Sequence, residues 1–421
     1  MPRLRDALSF WFWLGCVSFG GPAGQIALMQ QELVDKRGWI DQRRFLHGLN
    51  FAMLLPGPEA QQLATYVGWR MHGWAGGLVA GGLFVLPGAL LMLALSWLAA
   101  AHGDLAWVGA MFDGVKPVIV AIIIAALWRL GRRTLHGWAP PLLAGAAFLG
   151  LFLGHLPFPA IVAGAALIGW LAARRGLHLF TPPHGSSADD DPLPEPVATA
   201  SGGAARLARL ALLFGLLLAL PVGLLLFILG GDPWADIARL FTQAAFVTFG
   251  GAYAVLPYIG QAAVEKYQWL TAADMLNGLA LAESTPGPLI LVTQYVGFFA
   301  GWNQPGALSP LAAGLLGGVL TTYVTFLPCF FFIFAGAPYV ERLIHHKAAS
   351  GALAAVSAAI VGVILNLAVW LGVQVLWPGQ PDLFAWALAA GGLLALLRWR
   401  LPVHWLVLAG AVAGLARLVL G

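Results

Sequence analysis

Two Pro-Gly-Pro triplets, Pro56-Gly57-Pro58 and Pro286-Gly287-Pro288, stand in the middle of apolar stretches. Their chemistry there is that of a helix stopped inside a membrane. A proline removes a backbone donor and clashes with the carbonyl four residues back, so two prolines about a glycine interrupt a helix. The second proline is a favoured first residue for a new helix. That half-helix would present free N–H groups and the positive end of its dipole at membrane depth, which suits an anion. Irregular backbone at such depth has to be buried or line a cavity. A plain proline kink is the alternative for either triplet alone.

Polar residues gather around both breaks. Glu59, Gln62 and Tyr66 follow the first at i, i+3 and i+7 and so share one helical face. Around the second lie Asn277, Glu283, Ser284, Thr285, Thr293, Gln294 and Tyr295. A carboxylate inside a membrane is costly enough to suggest function, and proton carrier is the role it suggests for Glu59 and Glu283. Pairing with an arginine, or capping the new helix, is the alternative. Lys116, one turn after Asp113, reads either as half of a neutralised pair or as a cation lining an anion path. Arg37, Arg43 and Arg44 read as a basic loop gathering anions at one mouth, or as a solvated amphipathic face.

The triplets belong to a larger repeat. An offset of 230 residues places Phe19-Gly20-Gly21 on Phe249-Gly250-Gly251, Lys36 on Lys266, Trp39 on Trp269, Gly48 on Gly278 and the first Pro-Gly-Pro on the second. With Val17, Gln31, Val34, Leu46, Leu49 and Ala52, 15 of the 42 positions from 17 to 58 are identical without a gap. Helix breaks at matching positions of two hydrophobic halves point to the binding site of a transporter. The Phe-Gly-Gly triplets allow close backbone approach or a second helix break, with ordinary helix packing as the alternative.

The elements that must position these residues are membrane helices. The chain of 421 residues is 60% hydrophobic and 10% charged, against roughly 25% charged in a soluble domain, and its mean hydropathy is +0.82. Segments near the ~20 residues needed to span a bilayer fall at 7–30, 46–67, 75–100, 107–131, 139–173 (two short helices about His155 to Pro159), 206–229, 237–258, 276–299, 307–336, 350–376, 383–397 and 402–420. This predicts an all-α polytopic membrane protein of about 13 segments. Residues 1–173 form one repeat, 174–205 a solvated linker around Asp189-Asp190-Asp191, and 206–421 a second repeat with an extra leading helix at 206–229. Six segments and the extra helix precede the second Phe-Gly-Gly, so the repeats are predicted to be inverted, with broken helices in both.

Lys and Arg bias in the loops predicts a cytoplasmic N-terminus and a periplasmic C-terminus. It assigns Lys36, Arg37, Arg43, Arg44, Arg239 and Arg417 to the outer side, and the Lys36 to Arg44 cluster breaks the rule. The net charge of +4 follows from the loop bias and calls for no nucleic acid. Cys16 and Cys329 imply no disulfide framework or metal cluster, and the histidines, His345-His346 included, lack metal-ligand spacing. No Walker loop, nucleophile elbow or zinc helix is present. The expectation is a carrier with no cofactor, driven by an ion gradient, and not an enzyme.

Ser18-Phe19-Gly20-Gly21-Pro22, Lys36-Arg37-Gly38-Trp39-Ile40, Pro56-Gly57-Pro58-Glu59 and Gln62 through Gly68, repeated in part at Thr248-Phe249-Gly250-Gly251, Trp269-Leu270 and Pro286-Gly287-Pro288, resemble the chromate ion transporter (CHR) family in its long, two-domain form. The resemblance implies export of chromate across the inner membrane of a bacterium, driven by the proton motive force and conferring resistance, with sulfate as a plausible competitor. Uptake or exchange of sulfate or another oxyanion, and passive flux through an anion channel, remain the alternatives. The halves depart from each other where Ala252 replaces Pro22 and Leu289 replaces Glu59, which places Glu59 and the basic loop nearer the substrate path.

Overall fold

The computed structural model describes residues 3–177, 179–180, 203–339 and 347–420. Residues 181–202, the body of the expected linker, lie outside the described residues, as do Arg342, His345 and His346. Among the described residues there are sixteen α-helices and no strand. In the first half these are α1 (Leu4–Val17), α2 (Gly21–Gln30), α3 (Gln42–Leu54), α4 (Glu59–His102), α5 (Ala106–Thr134), α6 (Ala139–Phe152) and α7 (Phe158–Arg174). The second half holds α8 (Gly203–Leu229), α9 (Trp234–Val247), α10 (Ala252–Gln261), α11 (Ala272–Ser284), α12 (Val292–Asn303), α13 (Pro310–Gly336), α14 (Lys347–Leu376), α15 (Leu383–Leu394) and α16 (Val403–Leu420).

Both sequence motifs end helices, and the chain turns back at each. After Phe19-Gly20 the chain returns along α1, bringing the Arg37 guanidinium 4.8 Å from the Phe10 ring and Trp39 to 5.1 Å from it. After Pro56-Gly57-Pro58 it returns along α3, so Tyr66 covers Gly48, where an added Cβ would lie 2.4 Å from the tyrosine ring. The second half does the same. The Tyr258 hydroxyl donates to Gln243 across the α9–α10 turn at 3.1 Å, and Tyr295 lies over Gly278. The expected segments 7–30, 46–67, 237–258 and 276–299 are therefore hairpin tips and not crossings. A broken helix and a hairpin have the same apolar composition, and only the direction after the break separates them.

α4 is itself two arms, since His72 and Gly73 have non-helical dihedrals. The arms 59–71 and 74–102 pack antiparallel on glycines, so that a Cβ on Gly76 would stand 2.2 Å from the Gly68 carbonyl. α12 and α13 repeat this contact, with a Cβ on Gly317 falling 2.2 Å from the Gly297 carbonyl. Gly76→Val and Gly317→Val are each expected to destabilise the fold by about 1–3 kcal/mol through overpacking. A lowered melting temperature in detergent micelles would show it.

Six helices are long and apolar enough to cross a membrane among the described residues: α4, α5, α8, α13 with its short extension, α14 and α16. The bases of the first-half hairpins lie by the start of the 74–102 arm, where Trp74 stacks on Phe334 of α13 at 4.4 Å. The bases of the second-half hairpins lie by its end, where Gly103 and Asp104 share a cavity with Ala273 and Asn303. The two sets of hairpins thus enter from opposite ends of one helix and meet in the middle. Because 7–30 turns back, the Lys36 to Arg44 cluster stands at the same end as the N-terminal residues of α1. The cluster and the N-terminus, expected on opposite sides, therefore lie on the same one.

The halves share one core. α14 packs on α6 through Gly362 against Ala144 and on α7 through Gly351 against Gly169. α8 buries only Leu210 and Phe214, and side chains such as Phe227 are 88% exposed, a surface suited to lipid.

Candidate functional site

The four hairpin tips interlock pairwise between the halves. The Gly57 N–H donates to the Thr248 carbonyl at 2.7 Å, and the Gly287 N–H donates to the Ser18 carbonyl at 2.9 Å. Each Pro-Gly-Pro break therefore satisfies its amide on the residue just before the other half's Phe-Gly-Gly. Ser18 and Thr248 are in turn held by hydroxyl bonds to the carbonyls four residues back, Leu14 at 2.6 Å and Ala244 at 2.5 Å. At Gly57 (φ 127°) and Gly287 (φ 98°) the backbone lies in a region open to glycine alone. Gly88 of α4 passes beneath the second break, where a Cβ would meet the Pro286 carbonyl at 2.3 Å.

Two carboxamides finish the tips, and a third ties α12 to α4 beneath the second break. Gln25 donates to the carbonyls of Gly287 (2.6 Å) and Ser18 (3.2 Å), Gln62 to that of Pro56 (2.7 Å) and Gln294 to that of Ala89 (3.1 Å). Backbone carbonyls freed by a break in a water-poor interior need such donors. Cys329 of α13 sits beside Gly57, its thiol donating to the Thr325 carbonyl at 3.3 Å.

The expected site residues divide accordingly. Pro56, Gly57, Pro58, Pro286, Gly287 and Pro288 come together at the centre with Gly20, Gly21, Gly250 and Gly251. Phe19 is 41% exposed, its ring 6.4 Å from that of His404 at the start of α16, and its counterpart Phe249 is half-buried. Glu59 is half-buried at the first residue of its returning arm, where the first-turn amides have no intrahelical partner. Glu283 lies near the end of α11, 7% exposed, and accepts a hydrogen bond from the Tyr253 hydroxyl. The charges bearing on these carboxylates come from one face of α5, Arg133 on Glu59 and Arg129 on Glu283. Gln62 and Tyr66 share a face as expected, but they serve the break and the hairpin packing.

Lys116 is not brought to the tips. It pairs with Asp113 at 2.8 Å and lines a separate cavity at the end where the second-half hairpins enter. The basic loop is largely paired too. Glu32 holds Lys36 at 2.6 Å and Arg37 at 3.4 Å, and Asp41 holds Arg44 at 3.2 Å; Arg43 is half-buried on α3. Arg37 also lies over the Phe10 and Trp39 rings, which leaves less free charge for gathering anions than the sequence suggests.

Sequence reading passed over Gln25, Tyr253, Arg129 and Arg133. A lone glutamine at position 25 of an apolar stretch was a usable signal. Tyr253 meets Glu283, and the charges of the arginines reach the carboxylates, only through tertiary folding.

A family model described as "Chromate transporter" matches residues 5–170 and 235–415, which takes in both sets of hairpins. A chromate transport protein of Pseudomonas aeruginosa is 32% identical over 412 residues, 95% of this chain and 89% of that one. A probable chromate transport protein of Synechococcus elongatus is 28% identical over 421 residues, 98% and 95% of the two chains. A chromate transport protein of Cupriavidus metallidurans is 27% identical over 375 residues, 87% and 82%. No solved structure matches the chain.

Proposed function

We propose, because this chain belongs to the chromate transporter family, that it carries chromate out of a bacterial cell across the inner membrane, is driven by the proton motive force and confers chromate resistance. It is a multi-pass membrane transporter and not an enzyme. The observation that carries the reading is the reciprocal bonding of the breaks, Gly57 to Thr248 and Gly287 to Ser18. It gathers irregular backbone from both halves at one depth. There, helix N-termini can meet an oxyanion, and the first-turn amides at Glu59 are the donors that remain.

Direction follows from charge. Moving one elementary charge across a potential of 100 mV is worth about 2.3 kcal/mol, so a dianion leaving a cell negative inside gains roughly 4.6 kcal/mol. Glu59 and Glu283 are the proton carriers in this reading. An ionised Glu59 occupies the positive end of its own helix and opposes an anion there; protonation removes that opposition. The opposed entry of the hairpins supports an inverted repeat, with residues 1–173 and 206–421 as its halves. Arg3, Arg5, Lys36, Arg37, Arg43, Arg44 and Arg70 at the N-terminal end support a cytoplasmic placement for it and a periplasmic one for the C-terminus. Sulfate, alike in shape and charge, is the expected competitor.

Uptake of chromate into inside-out vesicles carrying the protein tests this reading. Energised uptake abolished by a protonophore is the expected result. Uptake indifferent to the gradient would make the protein a channel or exchanger, and no uptake would overturn the substrate or the direction.

A further inference from the structure

At the end where the second-half hairpins enter, α4, α5, α11 and α12 enclose a cavity of about 300 Å³. Its floor holds two polar atoms with no hydrogen-bond partner among the described residues, the Tyr295 hydroxyl and the Asn277 Oδ1. Tyr295 is fully buried. Buried polar atoms lining a polar cavity of this size are satisfied by water.

The charges decide what else enters. The titratable groups of the lining are Asp104, Lys116, Asp274 and Tyr295. Lys116 is neutralised by Asp113 at 2.8 Å. Asp274 is held by the Thr271 N–H at 3.0 Å and hydroxyl at 2.6 Å, neither of which cancels its charge. Asp104 is exposed at the turn between α4 and α5. Two carboxylates therefore stand uncompensated, and such a cavity repels a dianion and attracts protons.

Glu283 lies on the same helix, six residues or about 9 Å deeper along its axis than Asn277 and about 120° around it. Ser284, seven residues from Asn277 and so on the same face, places a hydroxyl beside Glu283 at the deep end of that face. We propose that this cavity is the proton entrance of the carrier: a water-filled route past Asp104 and Asp274, over Asn277 and Tyr295, to Glu283, separate from the path of the anion. Only protons move along it, so nothing is oxidised or reduced. The proposal rests on the proton coupling argued above and names its route.

Tyr295→Phe keeps the ring over Gly278 and removes only the hydroxyl; Asn277→Leu removes the amide. In reconstituted liposomes, two measurements separate the routes. Chromate counterflow at equal pH needs no net proton movement, whereas chromate transport driven by a pH gradient, followed with an internal pH dye, does. Both variants are expected to keep counterflow within about twofold of wild type and to lose roughly tenfold or more in gradient-driven transport and dye response, about 1.4 kcal/mol in barrier. Wild-type gradient-driven rates in both variants would overturn the route. Equal loss of counterflow would overturn it in favour of an anion path through the cavity. A wild-type protein with counterflow but no dye response would instead refute the coupling itself, and the route with it.

Discussion

Gly57→Leu is expected to reach the membrane in normal amount and to transport chromate at no more than about a thirtieth of the wild-type rate. The backbone at Gly57 has φ 127°, and an added Cβ would lie 2.7 Å from the Gln62 Nε2 and 2.8 Å from the Cys329 Sγ. A side chain in a left-handed conformation costs about 1–2 kcal/mol and overpacking a filled interior about 1–3 kcal/mol. Together these make roughly 2–5 kcal/mol, which depopulates the interlocked tip at least 30-fold. Gly287→Leu should behave alike, since φ is 98° there and a Cβ would meet Leu291 at 3.2 Å and the Gly88 Cα at 3.4 Å. Gly82→Ala on α4, with no atom within 4 Å of the added Cβ, is the matched control. Uptake per unit of membrane-inserted protein decides it, and wild-type rates in both leucine variants would remove the tips from the transport site.

The second large effect concerns the carboxylates. Glu283→Gln preserves shape and a partner for the Tyr253 hydroxyl but removes the proton that can leave. Energised chromate transport should fall about a hundredfold or more, the lower end of what a positioned proton-transfer group contributes, and the remaining rate should no longer follow an imposed pH gradient. Glu59→Gln acts at the first turn of its helix, where the half-helix meets the break, so it should reduce counterflow as well as net transport. If both variants respond to the gradient as the parent does, neither residue carries the coupled proton. Comparing the pair separates a carboxylate that meets the anion from one that only handles protons.

The division between the halves follows from particular residues. Leu289 in place of Glu59 is buried and opens a tight 3-10 turn, where the half-buried Glu59 opens a regular helix. The second half instead carries its carboxylate at Glu283, on the arm that enters the tip, where the first half has Met53. The acidic function therefore lies on opposite sides of the two breaks, although the backbone contacts they make are symmetric.

Much of this was determined by the sequence alone. Hydropathy required a polytopic helical protein, because a bilayer leaves backbone groups no partner but the chain itself. The offset of 230 residues set the two halves in register, and the proline and glycine triplets marked where helices must end, because φ restriction and a missing donor are local properties. Glu59 and Glu283 stood out because charge is rare in such stretches. Tertiary structure alone decided that the chain turns back at every break, since composition is the same for a kinked crossing and a hairpin. It also decided that each Pro-Gly-Pro amide bonds to the other half, that Lys116 is neutralised away from the tips, and that the Tyr253 hydroxyl bonds to Glu283. Those are contacts between residues up to 269 positions apart, as in Gly287 on Ser18, and they depend on which helices meet in space, which no local pattern encodes.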